Sequence, residues 1–316
     1  MSEYENLVSN RHCEIEKLSI RKLLENMLSH LTYKRDLALS TETNLDSIFE
    51  DAEQVFIELS NSQRLDILYS LHKQEMNLAG LSKKLSVTMQ EVHRNLNRLS
   101  EAGLIEKKST GVFSLTTFGN MIIRQIPSID FLSKNKIYFS KHTLGDMPIK
   151  FIQRIGALND GELIEGWVAV VERVKQMYKQ SNEYIYGMLP QVTHDLIETI
   201  VPMIREHGIK FKYILPENAQ VPEAGMKLLR EIGYDDLLKK GLIERKMNKK
   251  ISVAVVLNER ESIVMFPSAD GETDMNEMFY GNYVADANIF HEWSHDYFLY
   301  NWYNSHSFDS IKLKIV

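Results

Sequence analysis

The segment FHEWSHDYFLYNW, Phe290 to Trp302, contains His291-Glu292-Trp293-Ser294-His295. On a helix this H-E-x-x-H spacing sets two imidazoles one turn apart on one face, with a carboxylate beside them. That is the arrangement by which a zinc hydrolase deprotonates a metal-bound water. Such a site needs a third protein ligand. The residue six positions after His295 is Asn301, no glutamate follows Glu292, and His306 and Asp309 have little chain to position them. Periodicity offers a simpler role: Ile289, Phe290, Trp293, Tyr297, Tyr300 and Trp302 make an aromatic band suited to packing on a sheet, with His291 and His295 beside it. The expectation is no metal, no cofactor and no catalytic residue; a zinc-dependent hydrolase is the rival class.

A second constellation lies between Asn77 and Gly119. Thr88 is a good helix N-cap and Glu91, three residues on, completes a capping box. Behind the cap, Met89, Val92, Leu96 and Leu99 recur at spacings of three and four and are expected to be buried. That burial turns Gln90, Glu91, His93, Arg94, Asn97 and Arg98 outward or sideways. Arginine pairs the two acceptors of a guanine and glutamine pairs adenine, so Gln90 and Arg94 are candidate base contacts; Thr88, His93, Asn97 and Arg98 are candidates for phosphate. Gly103 supplies the left-handed residue that ends the helix. LIEKK and VFSLT then alternate around Ser109-Thr110-Gly111 as a hairpin with a basic tip, which makes Lys107, Lys108, Ser109 and Thr110 further phosphate candidates and Lys83 and Lys84 weaker ones.

Charge distribution agrees with that reading. The 316-residue chain carries a formal charge of −6. Between Asn61 and Gln125, however, nine Lys/Arg face five Asp/Glu, leaving the remainder at −10. A basic island in an acidic chain is the electrostatic footprint of a module that approaches phosphates.

The elements that must position these residues follow from periodicity. An amphipathic helix is expected over Glu14 to Leu39, a second over Leu45 to Leu59 and a third over Arg64 to His72. A short helix bearing Leu78, Leu81 and Leu85, a tight turn, the polar-faced helix and the basic hairpin then complete a winged helix-turn-helix. From Ser128 onward NKIYFS, EYIYGML, KFKYILP, ISVAVVLN and SIVMFPS read as strands. Between them lie IKFIQRIGAL, GWVAVVERVKQMYKQ, VTHDLIETIVPMIREHG and PEAGMKLLREIGYDDLLKKG at helical spacing. The expected class is α+β, with a helical extension over 1–45, a winged helix-turn-helix over 46–127 and a largely parallel, covered α/β domain over 128–316.

LNRLSEAGLIEKK followed by GVFSLTTFG resembles winged-helix regulators of the ArsR-like type. IPSIDFLSKNKIYFSKHTLGDMPIKFIQRIGAL, EYIYGML, VMFPSADGETD and FHEWSHDYFLYNW together resemble the methanogenesis-regulatory sensor domain that follows winged helices in archaeal transcription regulators. The second resemblance spans roughly Ser128 to Ser305 and implies a phospholipase-D-like unit without catalytic machinery. The hydrolytic His-x-Lys signature is missing, since His207-Gly208-Ile209-Lys210 has the wrong spacing.

The resulting expectation is a transcription regulator that binds double-stranded DNA as a homodimer and senses a small molecule or partner through its C-terminal domain. Tyr184, Tyr186, Asp274, Phe279, Asp286, Trp293 and Tyr297 are the candidate ligand contacts, with ordinary core packing as the competing role. A protein-interaction adaptor is a further rival, opposed by the basic wing. One cysteine, Cys13, excludes an intrachain disulfide. The polar, acidic start and the lack of an apolar run of about 18 residues point to the cytoplasm and to no membrane partner. No P-loop, G-x-G-x-x-G or G-x-S-x-G signature occurs, so no enzyme activity is expected.

Overall fold

The computed structural model describes residues 50–315 apart from 192, 232, 273 and 283–287. The expected helix over Glu14 to Leu39 and the candidate Asp286 lie outside the described residues. The chain divides into two compact units, residues 1–116 and 117–316.

Among the described residues of the first unit, four helices precede a hairpin: α1 (Glu50–Leu59), α2 (Ser62–Lys73), α3 (Leu78–Leu85), α4 (Met89–Glu101), β1 (Ile105–Lys107) and β2 (Phe113–Leu115). Each boundary has a local cause. Asn61 and Asn77 accept the Arg64 and Gly80 amides at 3.1 and 2.8 Å, satisfying donors that the first turns of α2 and α3 leave over. α3 stops at Ser86, held at φ 56. Ile67, Leu68, Leu81, Val92, Leu96, Leu99 and Leu104 close the core, each at most 1% exposed. Met89 does not join them. It is 54% exposed, because side chains in the first helical turn lean toward the N-terminus and past the layer that covers Val92. Asn95 is buried in addition, and its amide donates to Gln63 Oε1 at 3.0 Å.

The second unit begins with α5 (Thr117–Ile123), α6 (Ile126–Lys134) and α7 (Ile149–Ile152). An eight-stranded sheet follows, built from β3 (Glu162–Glu165), β4 (Tyr184–Met188), β5 (Lys210–Pro216), β7 (Ile243–Asn248), β8 (Ala254–Asn258), β9 (Glu261–Met265), β10 (Glu277–Asn282) and β11 (His306–Ser307). Its order is β11-β7-β5-β4-β8-β9-β10-β3. Only β4–β5 and β5–β7 are parallel; β11–β7, β4–β8, β8–β9, β9–β10 and β10–β3 are antiparallel. The expected largely parallel sheet is therefore corrected to a mixed one. α8 (Trp167–Gln180) leads from edge strand β3 to central β4, while helical crossovers join parallel neighbours at α9 (His194–His207), between β4 and β5, and at α10 (Glu223–Glu231) with α11 (Tyr234–Lys239), between β5 and β7. The links from β8 to β9 and from β9 to β10 carry no helix, and such short links make antiparallel neighbours. Small strands β6 (Gln220–Val221) and β12 (Lys314–Ile315) pair in parallel apart from the main sheet.

Helices cover both faces. Val170, Val174, Ile197, Ile200 and Ile204 of α8 and α9 pack on Ile185, Ala254, Val256 and Ile263. On the opposite face, Phe290, Trp293, Tyr297, Phe298 and Trp302 of α12 (Ile289–Asn304) pack with Phe131 and Phe151 on Met188, Val255 and Val264. Covering on both sides explains why β8 and β9 are buried at every position. The aromatic band is shifted from the expected one: Ile289 is 44% exposed, whereas Phe298 is fully buried. NKIYFS is a 3₁₀ turn over Tyr138–Ser140 rather than a strand. Its aromatic rings serve the core without strand pairing, Tyr138 stacking on His142 at 3.8 Å.

Candidate nucleic-acid interface

α4 is set by its cap. Glu91 N donates to Thr88 Oγ1 at 3.3 Å, while Thr88 N and Oγ1 donate to Glu91 Oε2 at 2.9 and 2.8 Å. The Thr88 side chain, first among these bonds, holds the Glu91 carboxyl below its ordinary range. Thr88 is thus committed to positioning the helix as well as being exposed beside it. At the far end Gly103 takes φ 71 with nothing within 4 Å of where a Cβ would stand, so the turn needs glycine for its backbone and not for space.

Between these ends α4 presents Gln90, His93, Arg94 and Asn97, all exposed. Gln90, Arg94 and Asn97 fall at i, i+4 and i+7, a single stripe. Among the described residues no carboxylate lies within ion-pair distance of Arg94. A guanidinium left with its five donors free on a helix face can pair base-edge or phosphate acceptors.

Arg98 stands differently. Its Nη2 and Nε reach the Glu58 carboxylate of α1 at 2.6 and 3.1 Å. Glu58 is buried and also takes Arg64 Nε at 2.9 Å. The hydrogen bond from Arg98, ahead of the nearby Arg64 charge and against the effect of burial, holds the Glu58 carboxyl below its ordinary range. Arg98 therefore ties α4 to α1, although its side chain is 47% exposed. Sequence reasoning missed Glu58 because its partner is 40 residues away and no periodic signal links them.

At the wing, residues 106–110 are exposed and Gly111 takes φ 83 to turn the hairpin. Lys107 stands opposite Phe113 across the strand pair, its Nζ 5.8 Å from the ring. Lys108 is engaged by the Glu75 carboxylate, a partner the sequence did not suggest. Ser109 and Thr110 occupy the tip, and Lys83 and Lys84 are exposed in the last turn of α3.

The candidate ligand contacts of the second unit do not converge. Phe279, Trp293 and Tyr297 are 1%, 0% and 3% exposed inside one core, and Trp293 Nε1 donates to Phe151 O at 3.1 Å. Tyr184 and Tyr186 lie tilted against each other at 4.5 Å, and Tyr186 stacks onto Phe298 and His295. Asp274 pairs with buried His142 at 3.2 Å and accepts the Asn276 amide. These are packing and capping roles, and the sizeable apolar cavity of this unit lies on the other face of the sheet.

The H-E-x-x-H residues have other partners too. His291 Nε2 donates to Asn258 O at 2.6 Å, and Glu292 faces Arg154 at 3.4 Å. Burial first, and His291 second, push the His295 imidazole below its ordinary range. Among the described residues no group of three His, Cys, Asp or Glu is placed to hold a metal, and no helix is long and apolar enough to cross a membrane.

No curated protein matches the sequence. Among solved structures, the archaeal chromatin protein TrmBL2, whose structure is described as showing a novel mode of DNA binding, is 12% identical over 78% of this chain and 93% of its own, with a TM-score of 0.36. HlyU from Vibrio cholerae is 24% identical over 28% of this chain and 97% of its own, TM-score 0.24. Nuc, a phospholipase D family member from Salmonella typhimurium, is 12% identical over 48% and 100%, TM-score 0.35. Residues 59–108 match the helix-turn-helix domain family, so the segment from the end of α1 to the start of the wing, with α4 as its second helix, is a helix-turn-helix domain.

Proposed function

We propose that the chain is a transcription regulator that binds double-stranded DNA in the cytoplasm. α4 enters the major groove, where Gln90 and Arg94 read base edges while Thr88, His93 and Asn97 lie toward phosphates. Lys107, Lys108, Ser109 and Thr110 of the wing follow the backbone, and Arg98 contributes mainly by holding α4 in place. The observation that carries this reading is the charge arrangement on α4: Arg94 makes no ion pair among the described residues, whereas Arg98, one turn on, is tied to Glu58. A homodimer doubles the contact with a two-fold operator. The winged helix is of the ArsR-like type, and the second unit is a non-catalytic sensor of the methanogenesis-regulatory type whose effector changes operator affinity.

Titration of the full chain with duplex DNA tests this. Log affinity falls linearly with log salt, with a slope of about 0.9 per neutralised phosphate. Arg94→Ala narrows the gap between operator and random duplex by about tenfold or more, the worth of one bidentate base contact. A flat salt response removes DNA as the partner. Unchanged discrimination in Arg94→Ala removes that residue from the base contacts.

A further inference from the structure

A cavity of about 460 Å³ opens on the face of the sheet that carries α9, α10 and α11. That volume is in the range of small-molecule sites. Its floor comes from strand alternation: Gly187 of β4, Phe211 and Tyr213 of β5, and Ile243 and Arg245 of β7 all point to this side. Leu196, Ile200 and Ile204 of α9 form the wall. Gly187 leaves room in the floor, since a Cβ there would find only Phe211 Cε2, at 3.9 Å.

One end of this apolar chamber is polar. Arg245 sits beside Tyr213 in the β5–β7 register. Its guanidinium carbon lies 4.1 Å from the Phe308 ring centre and 5.7 Å from that of Tyr234, a cation held over two aromatic rings. Among the described residues no carboxylate lies within ion-pair distance of Arg245. Tyr213 and Tyr234 join hydroxyl to hydroxyl at 2.5 Å. Burial pushes both phenols above their ordinary range. Two protonated hydroxyls share one bond between them, so a second O–H hydrogen is left to donate. Arg245 also hydrogen-bonds the Tyr213 and Tyr234 side chains, which leaves the rest of its five-donor fork; that cation, beside the remaining phenol hydrogen at the end of an apolar chamber, is half of a charge-assisted pair.

We propose that this cavity binds a small apolar monocarboxylate, its carboxylate on Arg245 and the Tyr213–Tyr234 pair and its hydrocarbon body along Leu196, Ile200 and Phe211. A single interior cation balances one negative charge. At the rim exposed Arg230 is outnumbered by Asp235 and Asp236, which disfavours dianions such as phosphate esters. The proposal rests on reading the second unit as a sensor only for its consequence at DNA; binding itself stands apart.

The test is calorimetric titration of the full chain, without DNA, with octanoate and with 3-phenylpropionate, against 1-octanol as the uncharged probe. The expected result is one acid bound per chain, weakened about tenfold or more by Arg245→Met and less by Arg245→Lys, as for loss of a charge-assisted contact. Binding of 1-octanol is unchanged in Arg245→Met. Gly187→Val, which projects into the chamber from a strand position, weakens both kinds of probe. The proposal is overturned if neither acid binds the wild-type chain, if Arg245→Met or, should that variant not fold, Arg245→Lys binds octanoate as wild type does, or if Gly187→Val binds as wild type. Duplex titration without octanoate is the separate measurement of the DNA reading, so the two fail independently.

Discussion

Glu58→Gln is the perturbation whose effect the first unit makes most readily calculable. The Glu58 side chain is 10% exposed and the Arg64 side chain 9%, at 2.9 Å. Removing one partner of a buried pair strands the other charge and costs about 3–5 kcal/mol. Here Arg64 keeps hydrogen bonds to Glu58 O at 2.8 Å and Ile57 O at 2.7 Å, which places the loss at the lower end, about 3 kcal/mol, or on the order of 100-fold in an opening equilibrium. Arg98→Ala instead leaves Glu58 paired with Arg64 and frees only a half-exposed partner, so protection falls just a few-fold. Native-state hydrogen exchange of the full chain, read by mass spectrometry on peptides covering 88–101, measures both. Equal losses in the two variants would show that Arg64 is not the stranded charge. Full protection in Arg98→Ala, together with a salt slope lower by about 0.9, would show that Arg98 serves phosphate and not α1.

The same carboxylate sets a pH dependence. Glu58 titrates lower in the folded protein than in the unfolded chain, so its contribution is present above the unfolded pKa of about 4.3 and is lost as pH falls through the folded value. The stability gap between wild type and Glu58→Gln should therefore shrink in melts below about pH 4; a gap constant to pH 3 would contradict the ion pair. Thr88→Ala removes the α4 cap and should cost about 1 kcal/mol in exchange of the 88–101 amides, with no loss meaning the helix end is held otherwise. Trp293→Ala empties a fully buried site and orphans Phe151 O, for about 3–5 kcal/mol in urea unfolding followed by far-UV circular dichroism; a loss under 1 kcal/mol would place that helix outside the core.

Local signals were legible where the cause is local. Thr88 with Glu91, Gly103, and the Ile105–Lys107 and Phe113–Leu115 pair are each decided by neighbours within a few residues, so a capping box, a left-handed stop and a hairpin could be read directly. The α4 stripe was legible for Val92, Leu96 and Leu99 but not for Met89, because periodicity gives an angle around a helix and not how far the covering layer extends along it. In the second unit the runs at β4, β5, β8 and β9 were plain, whereas GELIEG and EMFYGN, short edge-side segments broken by glycine, carried too little pattern to announce β3 and β10.

What residue types and spacing determined by themselves is a helix-turn-helix with a polar outer stripe, followed by strands and helices that must bury two apolar faces. Tertiary structure alone decided which arginine of α4 is free and which is spent on Glu58, since that depends on a carboxylate 40 residues away. It also decided that the aromatic residues of α12 fill a core while Arg245, without a carboxylate partner among the described residues, lies in a chamber on the opposite face. Strand alternation says only that neighbouring residues face opposite sides; which side is filled and which stays open follows from where distant helices come to rest.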